Sequence, residues 1–137
     1  MVVGIGDDAY GIPAAMVESV DRYRAPLPVP GSASHVEGVV NAGGRLVPVV
    51  SLRARMGILG RWSPADARTV LVDAGGGTAG LVVDEVRDVV GVDARRYAAA
   101  HRGDDPCEAV AGTLRVDGTP VALLDVPGLL AEGPLAA

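Results

Sequence analysis

Apolar and polar positions along this chain fall into short runs of Val, Leu and Ile, paired across clusters of Gly, Asp and Asn. The first pair is Val2-Val3-Gly4-Ile5 and Tyr10-Gly11-Ile12, flanking Gly6-Asp7-Asp8. The second is Gly38-Val39-Val40-Asn41 and Arg45-Leu46-Val47-Pro48-Val49-Val50, flanking Ala42-Gly43-Gly44. The third is Thr69-Val70-Leu71-Val72 and Gly80-Leu81-Val82-Val83, flanking Gly75-Gly76-Gly77. The fourth is Thr113-Leu114-Arg115-Val116 and Thr119-Pro120-Val121-Ala122-Leu123-Leu124, flanking Asp117-Gly118. A β-branched run, a turn that tolerates positive φ, and a second such run predict a β-hairpin each time. Repeated short hairpins build small barrels or sandwiches.

The segments between the hairpins are shorter and less regular. Pro13 to Glu18 predicts one helical turn with Pro near its first position, and Val20 to Tyr23 reads as extended. Pro26, Pro28 and Pro30 force an extended arm of polyproline type ending at Gly31. Residues 32–37 predict a short helix capped by Ser32 or Ser34. The second hairpin spans about 38–52. Val47-Pro48-Val49-Val50 lacks alternation and is expected to be buried on both faces, with Pro48 at an edge or bulge where no donor is needed. Residues 53–67 read as a loop around Gly57, Gly60, Trp62 and Pro64. The third hairpin, 68–83, is expected to continue unbroken through Asp84-Glu85-Val86-Arg87-Asp88-Val89-Val90 as one half-buried strand. Residues 93–108 form a polar connector. Asp125 to Leu130 closes the chain with a helical turn, and about 132–137 is expected to fray.

A chain of 137 residues is expected to be a single domain over 1–137. With 49% hydrophobic residues but only 3% aromatic and no Phe, its core must be built from Val, Leu, Ile and Ala. A net charge of −5 argues against a nucleic-acid partner, which selects a basic face. No run of about 18 apolar residues is present, so no membrane insertion is expected. No charged segment leads into an apolar one at the start, and the single Cys107 cannot close an internal disulfide. These features imply a cytoplasmic protein.

Candidate chemistry is sparse. His35 and His101 lie in different loops, and neither has metal-ligand spacing with Cys107, so no metal or cofactor is expected. Cys107 reads as a loop thiol and Ser51 lies outside any nucleophile elbow. Gly75-Gly76-Gly77-Thr78 lacks the Lys of a phosphate loop. Asp84 and Asp88 fall on one face of the expected strand and read as a solvated acidic face. No nucleophile, base and orienting group assemble, and the absence of Lys removes Schiff-base chemistry. The expectation is a binding protein, not an enzyme.

Several segments, in order, resemble the CheW-like domain of bacterial chemotaxis. They are Tyr10-Gly11-Ile12-Pro13 at the end of the first hairpin, Val17-Glu18-Ser19-Val20, and the Pro-containing arm. The most specific is Gly38 to Arg53, matching Gly-Val-x-Asn-x-x-Gly-x-x-x-Pro-Val-x-x-Leu-Arg. Gly80-Leu81-Val82-Val83-Asp84-Glu85-Val86-Arg87-Asp88-Val89 and Leu123-Leu124-Asp125 to Leu130 follow. The match runs over about residues 3–131. The resemblance implies a mainly all-β fold: two SH3-like five-stranded β-barrel subdomains packed on a shared core, with short helices. It also implies a non-enzymatic adaptor in chemotaxis signal transduction, a two-component system. The adaptor couples the signalling tip of methyl-accepting chemoreceptors to the regulatory domain of a CheA-type histidine kinase, at receptor arrays beneath the inner membrane.

On that resemblance, a cleft formed by Val17, Val20, Val40, Val86 and Val89 is expected to hold the receptor. A barrel end at Gly43, Gly44, Arg45 and Leu46 is expected to meet the kinase. The chain departs from the family pattern at Ser19 (usually Glu), Gly43 (usually Arg) and Ser51 (usually Asp). Those losses thin the standard interface chemistry and leave two alternatives open: a divergent scaffold in another signalling or motility pathway, and a small enzyme or ligand-binding barrel with a deep polar-lined pocket.

Overall fold

The computed structural model describes residues 1–31, 35–58, 60, 62–89, 98–99, 110–116 and 118–130. Its strands are β1 (Val2–Ile5), β2 (Asp8–Gly11), β3 (Val17–Arg22), β4 (Val36–Ala42), β5 (Arg45–Ser51), β6 (Arg68–Asp73), β7 (Thr78–Val83), β8 (Glu85–Asp88), β9 (Ala98–Ala99), β10 (Val110–Val116) and β11 (Thr119–Leu124). A 3₁₀ turn, Ala14–Met16, and two short helices, α1 (Leu52–Met56) and α2 (Val126–Leu130), complete the described elements.

All four predicted hairpins form, as β1–β2, β4–β5, β6–β7 and β10–β11. The β4–β5 turn shows why. Ala42 pairs with Arg45, leaving Gly43 and Gly44 as a two-residue loop with φ of 61° and 86°. Positive φ at both central positions defines the mirror-image turn that matches strand twist. The Asn41 side chain locks it by accepting the Gly44 N–H at 2.9 Å.

Hairpins alone do not make the fold. The strands assemble into a six-stranded sheet, β8-β1-β2-β11-β10-β9, and a five-stranded sheet, β3-β6-β7-β5-β4. Parallel pairs join the hairpins within each sheet, β2 to β11 in the first and β5 to β7 in the second. The expected two-subdomain architecture is present, with the two-residue β9 as an extra strand. Hydrogen bonding closes neither sheet into a ring, because each strand order has two ends.

The core is divided accordingly. One cluster joins both sheets, with Val3, Ile5, Tyr10, Ile12 and Leu124 from the first and Val50, Val70, Val72, Leu81 and Val83 from the second. A smaller cluster, Val2, Ala9, Leu114 and Val121, belongs to the six-stranded sheet. Another, Val49, Ala67 and Val82, belongs to the five-stranded sheet. Val49 and Val50, or Val82 and Val83, are adjacent in sequence but serve different clusters, because successive side chains point to opposite faces of a strand. This is the two-sided burial expected at Val47 to Val50. Pro48 is tolerated although β5 is an interior strand. Its partner Val39 directs its own backbone groups to Leu27, and pairing with β7 begins only at Val49.

Three local expectations are overturned. The helix expected over 32–37 is not formed at Val36 and Glu37, which begin β4; Ser32 and Ser34 lie outside the described residues. Burial of Val36 in the shared core outweighs the local capping signal. The loop expected over 53–67 contains most of α1. Ser51 caps this helix by accepting the Ala54 N–H at 3.3 Å, and Gly57 stops it in the left-handed region at φ 69°. The long strand through Asp84 is broken: β7 ends at Val83 in one sheet and β8 starts at Glu85 in the other. His101, Cys107, the middle of the polar connector and the 132–137 tail lie outside the described residues.

Candidate functional site

The chain crosses between the sheets at Asp84, and this point is the most heavily bonded polar site of the seam. Asp84 Oδ1 accepts Arg53 Nε at 2.8 Å, and Oδ2 accepts Arg53 Nη2 at 2.7 Å. Oδ2 also accepts the Gly6 N–H at 2.7 Å, while the Asp84 N–H donates to Gly4 O at 3.0 Å. One carboxylate therefore ties α1, the β1–β2 turn and the β7–β8 crossover. The Arg53 and Asp84 side chains are only 12% and 22% exposed. Burial acts to raise the Asp84 pKa, but the hydrogen bonds from Arg53 and Gly6 and the Arg53 charge outweigh it and hold the carboxyl below its usual range. The solvated acidic face expected for Asp84 is thus replaced by a bidentate ion pair.

The seam also gathers apolar side chains. Val17 and Val86 both pack against the shared core while remaining half-buried. Val20 pairs directly with Val70 of that core, and opposed residues share a face, so Val20 faces the same side at the sheet edge. It is 38% exposed. Val89, just beyond β8, is 60% exposed. Val40 is elsewhere: it packs against Val49, Ala67 and Val82 on the other face of the five-stranded sheet. The expected cleft thus divides, with Val17, Val20 and Val86 toward the seam and Val40 away from it.

Gly43, Gly44, Arg45 and Leu46 form the exposed tip of the β4–β5 hairpin, with Leu46 72% exposed. The two-residue turn holds without the Arg usual at position 43. At position 51, where the family pattern has Asp, Ser51 supplies the helix cap. Thr78 Oγ1 donates to Glu18 at 2.6 Å, so the carboxylate beside Ser19 bridges β3 to β7.

A further polar group, on no motif, lies near Val40. Glu37 Oε1 accepts a long hydrogen bond from Tyr23 Oη at 3.4 Å, and Tyr23 meets Trp62 edge-on, ring centres 5.1 Å apart at 80°. Glu37 and Trp62 line an open cleft of about 290 Å³. Burial pushes the Glu37 carboxyl above its usual range, against the bond from Tyr23. The Tyr23 hydroxyl is raised as well, by burial first and then by the Glu37 charge and hydrogen bond. No sequence spacing links 23, 37 and 62; only the fold brings them together. Among the described residues no cluster of His, Cys, Asp and Glu could hold a metal ion, and no helix is long and apolar enough to cross a membrane.

A protein-family model for the CheW-like domain matches residues 1–133. The chain belongs to the CheW-like family. The chemotaxis protein CheW of Bacillus subtilis (strain 168) is 27% identical over 103 residues, which cover 75% of this chain and 66% of that protein. The aligned part is therefore just under two thirds of that relative's length. A gliding motility regulatory protein of Myxococcus xanthus is 33% identical over 138 residues, covering 96% of this chain and 16% of that protein. In structure, the chain is similar to the scaffolding protein TtCheW of Thermoanaerobacter tengcongensis. The TM-score is 0.87 at 25% identity, covering 94% of this chain and 89% of that one. The CheW-like fold thus spans nearly the whole chain, and the Arg53–Asp84 pair joins its most specific sequence segment, Gly38 to Arg53, to the segment from Gly80 to Val89.

Proposed function

We propose that this protein is a non-enzymatic coupling adaptor of a chemosensory system. The observation that carries this reading is the structural likeness to a scaffolding protein over 94% of the chain. The adaptor works in the cytoplasm and links a chemoreceptor signalling tip to the regulatory domain of a CheA-type histidine kinase. The receptor's helical hairpin lies in the seam, where Val17, Val20, Val86 and Val89 offer apolar contact. The kinase domain meets the hairpin tip from Gly43 to Leu46. Partly exposed Val side chains over a filled core, and the exposed Leu46 at the tip, give affinity through apolar burial, about 25 cal/mol per Å².

The test is calorimetric titration of the protein against a receptor signalling hairpin and against a CheA regulatory domain. Val86→Arg is expected to lose receptor binding by at least about tenfold, since it places a charge in an apolar contact, and to keep kinase binding. Leu46→Asp is expected to do the reverse. Unchanged thermal melts establish that both variants fold. Native protein binding neither partner overturns the adaptor reading and leaves the fold. Receptor binding unaffected by Val86→Arg overturns the seam assignment alone.

A further inference from the structure

The cleft beside Glu37 opens on the face of the five-stranded sheet that carries Val40 and Val82, and it reaches the crossover at Asp84. Its polar wall holds Glu37, Arg53 and Asp84, and its apolar wall holds Trp62, Val82 and Ile58. Arg53 and Asp84 neutralise one another in their bidentate pair. Among the described residues that line the cleft, Glu37 is left as the uncompensated carboxylate, and their net charge is negative. Glu37 Oε2 is out of contact with solvent and accepts no hydrogen bond among the described residues. Its other oxygen has only the long bond from Tyr23. A buried carboxylate oxygen without a donor is costly and is relieved by a charged donor. Trp62 lines the same cleft, and its ring packs edge-on with Tyr23.

An uncompensated carboxylate beside an indole is the chemistry that recognises a cation, through a charge-assisted hydrogen bond and a cation–π contact together. At about 290 Å³ the cleft is at the lower limit of the roughly 300–1,000 Å³ typical of small-molecule sites. That size suits one inserted side chain better than a metabolite. We infer that the cleft between Glu37 and Trp62 receives a basic side chain, arginine or lysine, from a protein partner. This site borders the seam, sharing Arg53 and Asp84 with it, and includes no residue of the β4–β5 tip.

Trp62 is the only tryptophan in the chain, so its fluorescence reports on this cleft. The full chain is titrated with N-acetyl-argininamide and, at matched ionic strength, with its neutral isostere N-acetyl-citrullinamide. The expected result is a saturable change in Trp62 emission in the millimolar range for the arginine probe, at least about tenfold weaker for the citrulline probe. Glu37→Gln is expected to weaken the arginine response by a similar factor with an unchanged melting profile. Equal responses to the two probes overturn the proposal, as does no saturable response to the arginine probe. Arginine binding that persists in folded Glu37→Gln overturns it too. Because the probes discriminate on the native protein, the result does not depend on the variant folding.

Discussion

Two carboxylates in this molecule are pushed in opposite directions, and each makes a pH signature. Asp84 is buried enough to be raised, yet Arg53 and the Gly6 N–H win and hold its pKa low. A carboxyl depressed in the folded state stabilises it above the unfolded value of about 3.9, and that contribution is lost as pH falls through the folded value. Arg53→Ala is therefore expected to destabilise by about 1–2 kcal/mol near neutral pH, the lower part of the range for charged hydrogen bonds because both groups keep some exposure. Urea unfolding at neutral and strongly acid pH checks this, since the deficit should shrink on acidification; an equal deficit at both rules the pair out as its source. Glu37 has the reverse sign. Its folded pKa is raised by burial, so its contribution is intact below the unfolded value of about 4.3 and declines as pH rises through the folded one. Glu37→Gln is expected to match the native protein below about pH 4 and to become the more stable of the two as pH rises. A gain that is constant across pH contradicts the assigned cause.

Among the elements, α1 shows how a local substitution can preserve a local job. Ser51 caps the helix through the Ala54 N–H, the same role an Asp at that position can play, because both side chains present an oxygen acceptor one residue before the first helical turn. Ser51→Ala is expected to cost about 0.5–1 kcal/mol and Ser51→Asp to cost nothing beyond error, by chemical denaturation. A destabilising Ser51→Asp shows that the hydroxyl has another essential partner. The elements legible in the sequence were those with their own punctuation. Gly6-Asp7-Asp8 and Ala42-Gly43-Gly44 announce turns, which the strand register narrows to Gly6-Asp7 and Gly43-Gly44, and Val/Leu runs on either side announce strands. The helix α1 had punctuation too, in Ser51 and Gly57, but five residues are too few for a 3.6-residue period to stand out. The break at Asp84 had none. No Gly or Pro marks it; Val83 and Val86 lie three positions apart and so break period 2, but that spacing does not say which sheet buries each run. Val17, Val20 and Val86 are singled out by the family resemblance and not by periodicity, and the fold places them toward the seam. The opposite-face placement of Val40, the Arg53–Asp84 pair and the Tyr23–Glu37–Trp62 group depend on strand register and crossover, which are long-range.

At the scale of the whole molecule, the shared cluster makes the two sheets one cooperative unit. Leu81 on β7 is 0% exposed and belongs to the same cluster as Val3, Ile5 and Tyr10 of the opposite sheet. Each sheet's private cluster is much smaller than the shared one. Each sheet keeps only its small private cluster if the other unfolds and bares the face that carried the shared one, and open sheets with a bare apolar face are not independently stable. The polar clamp reinforces this, because Asp84 is bonded from both sides of the crossover. Leu81→Ala is therefore expected to cost about 2–5 kcal/mol and to lower the stability of both sheets equally. Two probes separate the sheets: Trp62 fluorescence beside the five-stranded sheet, and amide exchange of β1 and β2 in the six-stranded one. Coincident unfolding midpoints, shifted together by Leu81→Ala, establish a single unit. A loss confined to Trp62 and the five-stranded sheet, with β1 and β2 still protected, instead means that the subdomains are separable. A seam that opens independently would then expose the shared apolar cluster without the rest of the fold giving way, and on the proposed reading binding would part the two halves instead of using a fixed groove.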